Sequence, residues 1–111
     1  MKDDAAYLIH ILECIEKIER FLQNKNLLED VEMVDDAIIR NLQIMAESTQ
    51  KLSEKIKISV HEIPWRDISD FRNKLVHDYL GIDLEMIYDV IENEIPQLKK
   101  KILEILENKK S

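Results

Sequence analysis

Arg72, His77 and Tyr79 stand close together in the stretch RNKLVHDY. Histidine has an ordinary pKa that lets it give or take a proton near neutrality. Arginine presents a planar fork that matches two phosphate oxygens and holds negative charge as it develops on them. The pair therefore suits phosphodiester cleavage. His77 would remove the proton of a ribose 2′-hydroxyl or protonate the leaving oxygen, while Arg72 would steady the crowded phosphate in the transition state. This chemistry needs no metal, and the sequence holds no carboxylate and histidine cluster of the sort that binds one. His10 and Cys14 have helical spacing for a shared ion but lack further ligands, so Cys14 reads as a small hydrophobe.

The element that must position these residues is WRDISDFRNKLVHDYL, Trp65 to Leu80, which reads as one helix. Pro64 suits its first turn, and Gly81 suits a left-handed cap at its end. At about 100° per residue, Trp65, Ile68, Phe71, Leu75 and Val76 share one apolar arc. Arg72 and Tyr79 fall inside that arc. A guanidinium there is costly unless an anion meets it, and Asp36 or Glu47 would serve. His77 lies about 140° around the helix from Arg72, on the face of Asn73. One straight helix therefore does not converge Arg72 and His77. Either the helix loosens before Gly81, or two copies of the motif meet across a two-fold axis, which would also give Arg72 and Tyr79 an interface to occupy.

The rest of the chain reads as helix throughout. A first helix from about Asp4 to Gln23 carries Leu8, Ile11, Leu12, Ile15, Ile18 and Leu22 at spacings of three and four. Asn26 and Glu29 are spaced as a capping box. The second helix runs on to about Leu52, with Leu27, Val31, Val34, Ile38, Leu42 and Met45 as its apolar stripe. Residues 53–62 read as a short helix or turn. Asp83 caps the last helix, whose stripe is Leu84, Ile87, Ile91, Ile95, Leu98, Ile102 and Ile105, and Pro96 should kink it. The expected fold is all-α: one domain over residues 1–111, an antiparallel four-helix bundle with a short extra helix or turn and a kinked C-terminal helix.

Charge narrows the partners. The net charge of −7 argues against polyanion binding by the whole surface. The acidic excess lies almost entirely in residues 1–47, so the half holding the motif is nearly neutral and permits a local phosphate site. No apolar run approaches the ~20 residues that span a bilayer. MKDDAAY lacks the regions of a signal peptide, and a lone cysteine forms no internal disulfide. A cytoplasmic protein without membrane contact is expected.

The pattern R-x(4)-H-x-Y resembles the signature of the HEPN superfamily, and within it the HepT-like toxins paired with an MntA-like minimal nucleotidyltransferase antitoxin. Three further pieces match in order: YLIHILECIEKIERFL, DAIIRNLQIMAES and IPWRDISDFRNKLVHDYLGID. Together they cover most of the chain. The resemblance implies a HEPN-like bundle acting as a metal-independent endoribonuclease toxin on RNA (tRNA or mRNA), with no cofactor. It implies a homodimer whose composite cleft holds Arg72 and His77 as catalytic residues, supported by Asn73 and Asp78. Arg40 and Asn41 match a segment that lies near the site in relatives. Glu47 keeps the acid of a second such segment, while Ala46 and Ser48 depart from its small residues. Tyr79 matches the tyrosine to which the antitoxin transfers AMP. An anionic adduct two residues from His77 would block the cleft and repel RNA, as a phosphate does. Two other readings stand beside this one. The chain would be a non-catalytic helical dimer that binds nucleotide or RNA or serves as partner subunit of a minimal nucleotidyltransferase, or else a plain structural bundle in which Arg72→Met is tolerated.

Overall fold

The computed structural model describes residues 4–24 and 31–110, which form six α-helices and no strand. The capping box at Asn26 and Glu29 and the stripe position Leu27 lie outside the described residues. Helix α1 spans Asp4–Asn24 and α2 spans Val31–Gln50. Their apolar stripes meet: Leu8, Ile11, Ile15 and Ile18 are fully buried, as are Ile38 and Leu42. His10 lies against Ser48, and Asp4 accepts hydrogen bonds from the Ser53 amide and hydroxyl, so the two helices run antiparallel. Val31, expected on the α2 stripe, is instead 48% exposed at the first residue of the helix.

Ser53 also accepts from the Ile56 amide and caps the short helix α3, Glu54–Ser59. The motif helix α4 follows as Trp65–His77, with Pro64 just ahead of it. The Trp65 indole donates to the Val60 carbonyl at 3.1 Å and fixes the entry of α4. Three contacts set its direction: Gln50 donates to Ser69, Glu47 faces Arg72, and Tyr79 donates to Asp36. Helix α4 is thus antiparallel to α2.

The end of α4 departs from the sequence expectation. Helix stops at His77, three residues short of Leu80. Asp78 leaves it at φ −127° and ψ 41°, and Tyr79–Gly81 form a single 3₁₀ turn. Gly81 has no positive φ, so there is no left-handed cap. A Cβ at Gly81 would meet Asp78 Oδ1 at 2.6 Å, the far end of an exposed side chain that can swing away. Gly81→Ala should therefore change stability by no more than about 0.5 kcal/mol in urea unfolding. A glycine held at positive φ would lose about 1 kcal/mol or more.

Asp83 accepts from the Glu85 amide at 3.0 Å and caps α5, Leu84–Asn93. The kink at Pro96 takes the form of a break: α5 ends and α6, Ile95–Lys110, begins across Glu94. Pro96 has no N–H for the carbonyl of Glu92, and the ladder resumes with Leu98 donating to Glu94. Ile87, Ile91, Ile95, Leu98, Ile102 and Ile105 are buried, but Leu84 is 43% exposed at the first turn. Helix α6 packs on α1, where Lys99 pairs with Glu19 at 2.9 Å. The result is an antiparallel helical bundle of HEPN-like type with one connected core.

Candidate active site

The site is built on the seam between α2 and α4. Asp36, Arg40, Gln43, Glu47 and Gln50 recur along α2 at spacings of four and three, so they form one polar ridge beside the apolar stripe. Four of these five residues have found work. Asp36 takes the Tyr79 hydroxyl at 3.1 Å, and Gln50 holds Ser69 at 3.0 Å. Gln43 donates to Glu47 Oε1 at 2.8 Å, and the same carboxylate oxygen faces Arg72 Nε at 3.7 Å. Arg40 is exposed midway along the ridge.

Arg72 is held loosely. Its Nη1 donates to Asn73 Oδ1 at 3.1 Å, but its buried Nε has no hydrogen-bond partner. The approach of Glu47 is too long for a hydrogen bond, and an ion pair at this exposure contributes little stability. Of the two acids expected to meet the guanidinium, Glu47 does and Asp36 does not. The Nε is thus left with the Glu47 carboxylate nearby but no hydrogen bond. Arg72→Ala should accordingly shift the unfolding free energy by less than about 1 kcal/mol in a urea titration. That keeps any loss of activity separable from loss of fold.

His77 is the last residue of α4 and is exposed, as are Asn73 and Asp78. Arg72 is drawn toward α2 while His77 faces solvent, so a single chain does not bring the two together. The loosening considered from sequence occurs after His77, too late to alter their relation. Tyr79 is 49% exposed. Its hydrogen bond to Asp36 and the nearby charges of Asp36 and Glu32 push the phenol above its ordinary pKa. The bond uses the protonated phenol, so its stabilisation is present below the unfolded pKa and is lost as pH rises through the folded one. Burial likewise raises the Cys14 thiol, which suits its place in the core.

The role of Asp36 as partner of Tyr79, and of Gln43 as support for Glu47, was not read from the sequence. The four-three spacing of the ridge was the available signal. A groove of about 360 Å³ lined by Met45, Ile68, Phe71 and Leu98 lies on another side of α4 and includes none of Arg72, His77 and Tyr79. Among the described residues, no three His, Cys, Asp or Glu side chains are placed to hold a metal ion. No described helix is long and apolar enough to cross a membrane.

This geometry joins a wider pattern. The family model described as ribonuclease HepT-like matches residues 11–105. The chain belongs to the HepT-like family. Among its relatives, a gamma-glutamylcyclotransferase and candidate RNase of Methanocaldococcus jannaschii is 36% identical over 110 residues. That match covers 96% of this HepT-like chain but 49% of the relative, so the chain spans about half of that protein. A candidate RNase of Caldanaerobacter subterraneus subsp. tengcongensis is 34% identical, covering 99% of the chain and 100% of the relative. The probable ribonuclease HepT of Thermococcus cleftensis is 36% identical over 98 residues, covering 86% of the chain and 88% of the relative. No solved structure matches the chain significantly.

Proposed function

We propose that this HepT-like chain is a metal-independent endoribonuclease toxin that works in the cytoplasm as a homodimer on RNA, tRNA or mRNA. The observation that carries the reading is the separation of Arg72 from His77 within one chain. Arg72 lies against Glu47 on the α2 side, its buried Nε without a hydrogen bond, while His77 faces solvent at the end of the same helix. A second copy meeting this face about a two-fold axis brings the missing member of each pair. In the resulting cleft, His77 moves the proton of the ribose 2′-hydroxyl or of the leaving oxygen. Arg72 holds the phosphate oxygens as charge builds on them. Arg40, Asn73 and Asp78 line the approach, and Glu47 keeps Arg72 extended.

The same reading includes a covalent off-switch. A minimal nucleotidyltransferase antitoxin of the MntA type transfers AMP to Tyr79. The half-exposed phenol two residues from His77 supports this, because an anionic adduct there obstructs the cleft and repels the RNA backbone.

The test is cleavage of total cellular RNA by the purified protein with a strong chelator present. Discrete fragments should form at the same rate with and without chelator, and a mock purification should give none. Loss of cleavage on chelation would contradict the metal-independent mechanism. A folded dimer free of any Tyr79 adduct that leaves RNA intact would overturn the catalytic reading itself.

A further inference from the structure

The contact between Tyr79 and Asp36 joins residues 43 positions apart and puts a carboxylate on the oxygen that an AMP transfer would use. Asp36 lies on α2, whereas Tyr79 lies on the 3₁₀ turn after α4. The adjacent Leu80 is fully exposed, so on the single chain the turn stands open to an approaching enzyme. Tyr88 has a similar bond to Asp35 but is half-buried against the core, so the exposed pair is the accessible one.

We propose that Asp36 is the general base for modification of Tyr79, holding the hydroxyl and taking its proton as the phenol oxygen attacks a nucleoside triphosphate. This rests on the reading of Tyr79 as the acceptor of AMP. A bond forms between the phenol oxygen and the α-phosphorus, and the bond from that phosphorus to the bridging oxygen breaks. Pyrophosphate leaves, and the proton passes through the Asp36 carboxylate to solvent. The nucleotide is brought by the nucleotidyltransferase.

Asp36 has two opposed effects, and they give the test its sign. Tyrosine is almost wholly protonated at neutral pH, and the hydrogen bond to Asp36 makes the phenolate scarcer still. If the reaction used pre-formed phenolate, removing the carboxylate would leave it unchanged or speed it. If the reaction needs a base in the transition state, removing the carboxylate slows it. The charged groups around the phenol are Asp36 and Glu32 on α2, with His77 and Asp78 beside it in the chain.

The experiment follows adduct formation by intact mass spectrometry, using the full chain, an MntA-type nucleotidyltransferase and magnesium ATP. Wild type, Asp36→Asn, Asp36→Glu and Tyr79→Phe are compared, each with its urea midpoint measured. Asp36→Asn should form the adduct about 100-fold more slowly at pH 7, with a rate that climbs with pH as phenolate appears. Asp36→Glu, which keeps the carboxylate, should recover much of the rate. Modification of folded Asp36→Asn at or above the wild-type rate overturns the role of Asp36 while leaving Tyr79 as acceptor. Absence of adduct on wild type, or an adduct that persists on Tyr79→Phe, refutes the acceptor reading and the role of Asp36 with it.

Discussion

Alanine at His77 should lower RNA cleavage by about 10²–10⁴-fold, the usual contribution of a positioned general acid or base. The bundle should survive the change. His77 is exposed at the last residue of α4, so truncation removes no core packing. The backbone there is secured independently, since the Asp78 amide donates to the Lys74 carbonyl at 3.0 Å. No more than about 1 kcal/mol of favourable interaction with the helix C-terminus is lost. Single-turnover cleavage of a labelled RNA, with far-ultraviolet circular dichroism on the same samples, separates the two effects. Wild-type rates from His77→Ala would remove this residue from the chemistry.

Alanine at Leu75 should act the other way, through the fold. Leu75 is 1% exposed and is the single buried residue of α4. The neighbouring Ile68, Phe71 and Val76 are only partly covered, and α4 packs chiefly on α2. Removing the Leu75 side chain takes away the main anchor of the motif helix, at a cost of about 2–5 kcal/mol. That is a large share of the ~5–15 kcal/mol that holds a domain together. Because the seam also carries Arg72 against Glu47 and Tyr79 against Asp36, activity should fall along with stability. Urea unfolding checks the first effect and RNA cleavage the second. A stability change below about 1 kcal/mol would show that α4 is held by something other than this residue.

Most of the helical architecture was legible from periodicity. Stripes at threes and fours in α1, α2 and the α5–α6 segment name the buried residues, because a helix must turn its apolar face to a neighbour. The plainest misses fall at helix ends, while Leu12 in α1 and Ile68, Phe71 and Val76 in α4 are only partly buried within theirs. Val31 and Leu84 keep the period but are half-exposed at the first residues of their helices, and periodicity carries no information on where a partner stops. The end of α4 was misread for a related reason. Nothing local in HDYLG demands a break after His77, and a glycine in that place commonly closes a helix in the left-handed form. The turn is drawn toward α2 by Tyr79 and Asp36, 43 residues apart, and no window on the sequence contains both. The Arg72 partner was legible as a choice of two acids. Only the register of α2 against α4 decides for Glu47 and sends Asp36 to Tyr79.

The most direct test of a composite RNA-cleaving cleft is to mix two inactive variants, Arg72→Ala and His77→Ala, and measure cleavage after the subunits exchange. Each lacks one member of the pair in every site of its own homodimer. In a mixed dimer, one of the two sites regains an intact Arg72 from one protomer and an intact His77 from its partner. With random pairing, cleavage should return to roughly a quarter of the wild-type rate, since half the dimers are mixed and half their sites are whole. If the mixture stays as inactive as its components while exchange is verified, Arg72 and His77 do not act across the dimer.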